Sequence, residues 1–583
     1  MNIKIRYRTK EKVPYLLLTG VTGVLLYRCF FSFVWSDESF YLSLVHRFWV
    51  GDRPVIDEWS GVQFYAVALL PLYSIYRRVV GSSDGVYLFF RILMVLANYI
   101  LSIYILKSLR KRTSVWPAFF GALLYLLYTR ANILGASYYS FALLFFTWSL
   151  FLLLNNQTEH KRRRMFLSGC AIALAVLAIP YLAILYILIV CIILVIPCLR
   201  KYQKRSLWMV FGTFLCAAIF CAFLLTKADL GEIIENIPHF LSDTEHENGN
   251  VLVSIMLWFA RIVYRYKYTF PGMIFCLIYI FFRMRKSGRL NSQTDILYIV
   301  INLIICAINI ILSGDMIGCA NIAISILAAS LYLLRTSYSN IFWKDYIYLV
   351  YIPGIFFSMI FHYASNTGLD SMTVGFAVCS TISPLIIWES LKYFPIKKKA
   401  VKKGIYTMAF ALLGIVTLQT GRLRLFGVYR DDSLDKLQVQ LVDGPAKYLY
   451  TTEEHANQYM NLVETIQKTC QIEKVENVVF VEMAPWAYLC LDVSCGAPSP
   501  CRFWGGLSDE NLKKYYEQMP ESFPDYVCDI APEYGNFRSV YIQGGEYSDA
   551  PNGTNVGKWL IETVRAKGYE AQKSLSGVVS KKQ

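Results

Sequence analysis

Long apolar stretches separated by short polar connections fill about the first 420 residues. A helix needs about 20 apolar residues to cross the hydrocarbon core of a bilayer. The pattern therefore predicts a polytopic α-helical membrane domain with about thirteen spans. These spans are approximately 13–34, 86–106, 114–130, 138–154, 165–180, 182–199, 207–225, 253–282, 296–313, 316–334, 346–363, 372–390 and 404–420. The first is too long for a signal peptide and has no small-residue cleavage site after it, which predicts an uncleaved span.

Positive charge is concentrated in alternate connections between the predicted spans. These basic connections are Lys4–Lys12, Lys107–Arg112, Lys161–Arg164, Arg200–Arg205, Arg283–Arg289 and Lys392–Lys403. The positive-inside rule makes them cytoplasmic. An odd number of spans then places the N-terminus inside and the C-terminus outside. The pairs of spans around Pro180 and around Gly314–Asp315 have very short turns, so each pair has an alternative interpretation as one broken helix.

Three outer segments are longer than turns. The first, residues 35–85, contains a semi-apolar stretch, Val62–Val80, that is suited to the membrane surface. The second, about residues 226–250, carries a concentration of acidic residues and histidines. These are Asp229, Glu232, Glu235, His239, Asp243, Glu245, His246 and Glu247. For this loop we weigh a solvated loop against a divalent metal site.

The pattern of the third outer segment, residues 421–583, predicts a small α/β domain. Helices are expected at Thr451–Cys470, with Thr452 as N-cap, at Asp509–Gln518 and at Val556–Lys567. Short β-rich runs predict strands at Val478–Val481, Ala487–Leu491, Asp525–Cys528 and Ser539–Ile542. Gly-Gly pairs at 505–506 and 544–545 indicate turns, and we find no GxGxxG, P-loop or GxSxG motif.

Composition agrees with a membrane protein. Apolar residues make up 56% of the chain and charged residues 17%, with a mean hydropathy of +0.42, against about 45–50% and 25% in soluble domains. The net charge of +16 does not indicate nucleic acid, because residues 421–583 hold 17 Lys and Arg against 22 Asp and Glu. The positive excess lies beside the apolar helices, where it sets topology and meets anionic lipid.

Ten of the fifteen cysteines lie before residue 421, mostly within apolar stretches, and five lie in the tail. An odd number leaves disulfide pairing open. Their spacing does not suit a zinc site. No cofactor is predicted with certainty.

Acidic residues follow the first predicted span closely. Asp37-Glu38 comes directly after it, and the same loop holds Asp52 in Gly51-Asp52-Arg53-Pro54 and the pair Asp57-Glu58. Carboxylates just above a membrane interface are suited to general-base chemistry. Arg91 lies about one turn into the second span, where a cation needs a partner.

This arrangement resembles the GT-C glycosyltransferases, in particular the protein O-mannosyltransferase and aminoarabinose transferase group (glycosyltransferase family 39). The resemblance rests on Asp37-Glu38, the aromatic stretch through Tyr41, Gly51-Asp52-Arg53-Pro54, Leu70-Pro71 with Gly81, and Arg91. The plan of many spans, large outer loops and an outer soluble tail matches as well. Gly61-Val62-Gln63-Phe64 replaces the family's usual His or Lys with Pro-Pro.

The resemblance implies transfer of a sugar from a polyprenyl-phosphate carrier to an acceptor outside the cell membrane. Asp37 is then the general base, and Glu38 orients it or contacts the acceptor. Arg91 holds the carrier phosphate or fixes the loop. Further phosphate contacts are assigned to Arg261, Arg265 and Lys267, and acceptor or loop contacts to Asp52, Asp57 and Glu58. Glycan, lipid and protein acceptors stay open, as does the sugar.

Each of these residues also has a structural interpretation. Asp37-Glu38 can cap a surface helix, Arg91 can reach the headgroups, and Arg261, Arg265 and Lys267 can bind lipid. Asp315 lies in a short outer turn. A different class, a transporter or flippase of lipid-linked saccharides, predicts broken or polar helices in mid-membrane. An O-antigen-type polymerase or ligase predicts its large arginine-bearing loop nearer the middle of the chain.

Overall fold

The computed structural model shows a helical bundle joined to a small C-terminal α/β region. It describes residues 2–155, 161–241, 250–285, 292–314, 316–336, 343–365, 367–392, 394, 396, 398–469, 477–481, 484–500, 509–529, 556–574 and 577–583. The predicted strand Ser539–Ile542, the Gly-Gly pairs at 505–506 and 544–545, and Asp243, Glu245, His246, Glu247 and Asp315 lie outside the described residues.

Eighteen α-helices precede the C-terminal region in the described part of the chain. They are α1 (Asn2–Arg28), α2 (Asp37–Val50), α3 (Phe64–Val80), α4 (Val86–Leu109), α5 (Val115–Leu127), α6 (Tyr138–Leu154), α7 (Lys161–Ala178), α8 (Leu182–Val195), α9 (Arg200–Leu225), α10 (Leu230–Leu241), α11 (Val251–Arg265), α12 (Phe270–Arg285), α13 (Ser292–Leu312), α14 (Cys319–Thr336), α15 (Lys344–Tyr346), α16 (Ile352–Ser365), α17 (Leu369–Lys392) and α18 (Lys399–Phe426). A π-turn, Ile347–Tyr351, joins α15 to α16.

Seven of the described helices are long and apolar enough to cross a membrane, and four shorter ones are strongly apolar. α17 lies at the centre of the bundle, packed against α5, α14 and α16. Glycines allow close helix packing, as small residues do in membrane bundles. A Cβ atom at Gly169 would lie 1.9 Å from the Met209 carbonyl oxygen, and one at Gly212 would lie 2.3 Å from that of Phe166. α7 and α9 therefore touch backbone to backbone. The number of spans and their orientation stay predictions.

One predicted span is wrong in detail. The stretch 253–282 forms two helices, α11 and α12, separated at Tyr266–Thr269. Pro271 follows the break, and a proline lacks the N–H that a continuous helix needs and restricts the residue before it. The turns at Pro180 and Gly314 both separate helices, and α13 packs against α14.

Polar contacts mark two ends of the bundle. At the end that carries the C-terminal region, Arg91 at the start of α4 contacts the backbone after α1, and Arg424 at the end of α18 contacts Asn132. At the opposite end, Arg112 and Lys201 both pair with the buried carboxylate of Asp345. Two of the predicted cytoplasmic connections therefore meet at the end away from the tail.

The C-terminal region contains helices α19 (Glu453–Thr469), α20 (Asp509–Gln518) and α21 (Val556–Ala566). Its strands are β1 (Val439–Gln440), β2 (Tyr450–Thr451), β3 (Asn477–Phe480), β4 (Ser494–Cys495), β5 (Tyr526–Asp529), β6 (Glu570–Ser574) and β7 (Gly577–Lys581). β1 pairs with β2, and the other strands form one sheet in the order β4-β3-β5-β7-β6. β4, β3 and β5 are parallel, while β7 is antiparallel to both neighbours.

The three predicted tail helices are confirmed, as is the N-cap, since the Thr452 hydroxyl accepts from the His455 N–H at 3.2 Å. Val478–Val481 and Asp525–Cys528 are strands to within a residue. The predicted strand Ala487–Leu491 is wrong: Pro485–Cys490 is a 3₁₀ helix, and Pro485 at its start favours the helical φ. α18 ends at Phe426, beyond the predicted boundary at residue 420.

Candidate functional site

Asp37 is the first residue of α2, where the backbone N–H groups of the helix end favour negative charge. Its side chain is 28% exposed. The oxygen Oδ2 accepts hydrogen bonds from the Ser36 hydroxyl at 3.0 Å and the Tyr429 hydroxyl at 2.9 Å, and pairs with Arg430 Nη1 at 2.9 Å. Within the described part of the chain, Oδ1 accepts no hydrogen bond from protein. One oxygen is therefore fixed in place while the other is available to a ligand.

Glu38, the next residue, is fully buried and faces Arg91. Arg91 Nε donates to one carboxylate oxygen at 2.7 Å and Nη2 to the other at 2.5 Å. This bidentate pairing suits the planar guanidinium group. A Cβ atom at Gly135 would lie 2.4 Å from the Glu38 carboxylate, so only glycine fits there. The pair fixes the start of α2 against α4.

Arg91 also binds the end of α1. Its Nη1 donates to the carbonyl oxygens of Cys29, Phe31 and Ser32 at 2.9–3.2 Å. These carbonyls follow Arg28, the last residue of α1, so they have no partners in the helix, and the buried cation supplies their hydrogen bonds. Arg91 is fully buried, and these bonds turn its guanidinium toward protein. Its predicted contact with a carrier phosphate stays a prediction.

Two more buried arginines stabilise the ends of α1 and α18. Arg28 donates to the carbonyl oxygens of Phe31, Leu425 and Gly427 at 2.8–3.0 Å. Arg424 donates to the Asn132 amide oxygen at 2.8 Å. The Arg28 contacts join the end of α1 to the end of α18, and the Arg424 contact joins α18 to the turn after α5.

Arg130 was not identified from the sequence. It follows α5, and its side chain is 11% exposed. Nε donates to Asp370 Oδ2 at 2.6 Å and Nη2 to the Thr367 hydroxyl at 2.7 Å, while the guanidinium lies 4.7 Å from the Tyr139 ring centroid. Nη1 forms no hydrogen bond in the described part of the chain. A small pocket beside it is lined by Asn98, Tyr128, Thr129, Arg130, Tyr139, Ser140, Leu143 and Val374.

Aromatic side chains connect Arg130 with Asp37. The rings of Tyr41, Tyr138 and Tyr139 lie 4.8–5.6 Å apart, centroid to centroid. Burial, and then the charge of Asp37, raise the pKa of Tyr429 above its usual value. The phenol thus stays a hydrogen-bond donor to Asp37. Tyr429 and Arg430 were also missed, because they follow α18 some 390 residues after Asp37 and no local pattern links them to it.

Asp52, Asp57 and Glu58 surround Arg47, which is itself buried. Arg47 Nε bonds to Asp52, Nη1 bonds to Glu58 at 2.7 Å, and Nη2 bonds to the Asp57 carbonyl oxygen. Nη2 also donates to the carbonyl oxygen of Ala497 in the tail at 2.7 Å. Burial raises the pKa of Asp52, and the charge of Arg47 opposes that rise. Arg47 and Asp52 thus attach the first loop to the tail, since Asp52 also accepts from the Cys495 N–H at 3.2 Å. The assignment of Asp52, Asp57 and Glu58 to the acceptor stays a prediction.

Arg261, Arg265 and Lys267 lie at and just beyond the end of α11. Arg261 Nη1 lies 3.0 Å from His362 Nδ1, and Arg265 donates to the Ser313 carbonyl oxygen. The Lys267 ammonium lies 5.1 Å from the Tyr264 ring centroid. Arg261 lies next to Gly368, the neighbour of Thr367, which Arg130 binds. Of the three, Arg261 is thus the one placed near Arg130.

The acidic loop is described only in part. His239 stacks on Trp59 with ring centroids 4.0 Å apart, and its Nε2 lies 3.1 Å from the amide nitrogen of Gln518. Arg53 pairs with Glu232 at 3.6 Å. α10 therefore contacts both the first loop and the tail. Among the described residues, no group of three His, Cys, Asp or Glu side chains is placed to hold a metal ion.

No protein-family model and no curated protein matches the chain. Eleven chains of solved structures match it, and two of them are described here. One is the archaeal oligosaccharyltransferase AglB from Archaeoglobus fulgidus in complex with an inhibitory peptide and a dolichol-phosphate, with 12% identity, a TM-score of 0.45, and coverage of 89% of this chain and 70% of that one. The other is the apo form of an Archaeoglobus fulgidus oligosaccharyltransferase, with 11% identity, a TM-score of 0.46, and coverage of 90% and 70%. These TM-scores are too low to establish a shared fold, and the enzyme class stays a prediction.

Proposed function

We propose that the protein is a membrane glycosyltransferase that moves a sugar from a polyprenyl-phosphate donor to a hydroxyl acceptor. The proposal rests on the different surroundings of the two carboxylate oxygens of Asp37. Three neighbours hold Oδ2, and Oδ1 is left to accept a proton from an acceptor hydroxyl. For a general base, an oxygen within hydrogen-bonding reach of the acceptor proton is the first requirement, and a suitable pKa is the second.

In the proposed reaction, the acceptor oxygen attacks the anomeric carbon and its proton moves to Asp37 Oδ1. The bond between the anomeric carbon and the phosphate oxygen breaks, and its electrons stay on that oxygen. The products are an inverted glycosidic bond and the polyprenyl phosphate. The donor is activated by its own phosphate, so no nucleotide site is needed.

The departing phosphate needs cations. Arg130 is our first candidate, because its Nη1 is unused and it lines a pocket beside Tyr139. Arg430 pairs with Asp37 itself, and Arg261 lies beyond the turn that Arg130 contacts. Arginine suits phosphate because its planar donors match two oxygens at once. Arg91 takes a positioning role in this scheme, and Arg265 and Lys267 are peripheral.

The proposal places the site and the tail on the outer face of the cell membrane, opposite the basic connections. Protein, lipid and glycan remain possible acceptors. The competing function is movement of a lipid-linked saccharide across the bilayer without breaking a bond. The two differ in whether free polyprenyl phosphate is released.

The test is an assay of membranes with radiolabelled undecaprenyl-phosphate hexoses and pentoses. Wild-type protein should release undecaprenyl phosphate from one of these donors. The Asp37→Asn variant should lose at least about two orders of magnitude in rate, as expected for the loss of a general base. Asp84→Asn is the matched control, because Asp84 lies in the same loop and is similarly exposed, at 32%.

Equal rates for wild type and Asp37→Asn would refute the base assignment. If reconstituted vesicles instead move the labelled lipid between leaflets with the glycosyl phosphate bond intact, the transporter function replaces the enzyme.

A further inference from the structure

An open groove crosses the outer face of the tail, between α20, the 3₁₀ turn Pro520–Ser522 and α21. Its cavity volume is about 290 Å³, at the lower limit of the range of about 300–1,000 Å³ found for small-molecule sites. Tyr516, Phe523 and Trp559 supply its aromatic surface. The Tyr516 and Trp559 rings are inclined to each other by 25°, with centroids 6.5 Å apart. The Phe523 ring lies 4.8 Å from that of Tyr516 and is inclined to it by 59°. The groove therefore has an apolar wall of three rings, two of them nearly parallel and the third turned.

Two exposed lysines lie over this wall. The Lys513 ammonium is 5.2 Å from the Trp559 ring centroid, and the Lys567 ammonium is 3.6 Å from that of Phe523. Glu517 is the one acidic residue among the lining side chains of the described chain. The groove is thus locally cationic, although residues 421–583 hold 22 acidic against 17 basic residues. Such contrast favours an anionic ligand over a neutral one.

The groove is rigidly connected to the loop that bears Asp37. On α20, Tyr515 packs against Trp59 of that loop at 5.2 Å, while the next residue, Tyr516, lines the groove. The Tyr516 hydroxyl donates to the Gly496 carbonyl oxygen at 2.8 Å, and the carbonyl of the adjacent residue Ala497 accepts from Arg47. A ligand in the groove is therefore connected to α2 through a continuous series of packing contacts and hydrogen bonds.

We propose that this groove binds an anionic oligosaccharide, with uronic acid or similar acidic sugars. The apolar C–H face of a pyranose ring packs on aromatic rings, and its carboxylates pair with the two ammonium groups. The three aromatic side chains in the lining favour sugar rings, whose C–H faces pack on them, over an extended acidic peptide. That the bound saccharide is the acceptor rests on the proposed function, whereas the binding itself does not.

The test measures binding of tetragalacturonate to the detergent-solubilised full-length protein by titration calorimetry. Replacing both lysines, Lys513→Ala with Lys567→Ala, should weaken binding by about tenfold or more. Both side chains are exposed, so this variant should keep the wild-type Tm. Trp559→Ala should weaken binding as well, and Trp559→Phe should restore most of it.

Lys514→Ala is the matched control, because Lys514 is the neighbour of Lys513 but lies toward His239. It should bind tetragalacturonate as the wild type does, as should Asp37→Asn. The Asp37→Asn result separates binding in the groove from the transfer reaction. If binding is retained while transfer fails, the result supports the groove proposal and not the proposed function.

Several results would overturn the proposal. They are no binding of tetragalacturonate to wild type, equal affinity in the lysine double variant, or an equal loss in Lys514→Ala. Equal affinity for neutral maltotetraose would overturn the role of charge. Equal or tighter binding of tetraglutamate would make the ligand an acidic peptide.

Discussion

Replacing Glu38 with glutamine keeps the size of a fully buried side chain and removes its charge. Arg91, also fully buried, is then left without a counter-ion. Removing one partner of a buried ion pair costs about 3–5 kcal/mol of folding free energy, because the remaining charge stays desolvated and unpaired. We expect Glu38→Gln to lower stability by an amount of this order.

The structure also predicts how related variants rank. Arg91→Met leaves Glu38 unpaired and also removes a donor from the carbonyl groups of Cys29 and Ser32, just after α1, while Phe31 keeps its bond from Arg28. Each unsatisfied buried group adds about 1–3 kcal/mol. Arg91→Met should therefore be less stable than Glu38→Gln. Asp37→Asn, at a partly exposed position, should unfold close to wild type.

The assay is thermal unfolding in one detergent, followed by the loss of monodisperse protein on gel filtration after heating. The expected order of Tm is wild type and Asp37→Asn highest, then Glu38→Gln, then Arg91→Met. A wild-type Tm for Glu38→Gln would refute the view that this carboxylate serves to fix α2. So would a Tm for Asp37→Asn as low as that of Glu38→Gln.

Three further predictions follow from other contacts. Gly135→Ala should displace the Glu38 carboxylate, which lies 2.4 Å from the new Cβ position, and should lower both Tm and transfer rate. Gly404→Ala, at a position with open space around it, should change neither. Arg47→Met should loosen the tail from the first loop, giving faster trypsin cleavage between the bundle and the tail while Arg53→Met cleaves nearly as wild type. A hydrogen bond to Asp431 raises the pKa of His455, so its contribution to stability is complete below the unfolded pKa of about 6.5 and is lost as pH rises through the folded value. The Tm difference between wild type and His455→Gln should accordingly shrink between about pH 5 and about pH 9, and a difference that grows with pH would contradict the assignment.

Much of the bundle followed from the sequence because hydropathy is a local signal. The lengths of the apolar stretches located nearly every helix, and Val62–Val80 appeared as α3 with only its start shifted to Phe64. α2 was missed, since Asp37–Val50 mixes apolar and polar residues that are nearly all buried. Burial on both sides removes the amphipathic contrast on which such predictions depend.

Only the residues of the candidate site that lie early in the chain were predictable from the sequence. The pair Asp37-Glu38 and Arg91 stood out because charges beside apolar spans are costly. The partner of Glu38 lies 53 residues away, and two of the three partners of Asp37, Tyr429 and Arg430, lie beyond residue 428. Separations of this size depend on how the helices pack, which periodicity does not encode. Arg130 was hidden for another reason: it lies at the end of a span, where a basic residue is ordinary.

The bonds of Arg47 have a consequence for how the protein is made. Its guanidinium is satisfied in part by Ala497 and Cys495, which leave the ribosome some 450 residues later. The bonds of Asp37 to Tyr429 and Arg430 likewise form only after those later residues have been made. Until the tail has been made and folded, the first loop holds a polar cluster with incomplete bonding. We therefore expect a chain that ends before the tail to have a less stable first loop than the full chain.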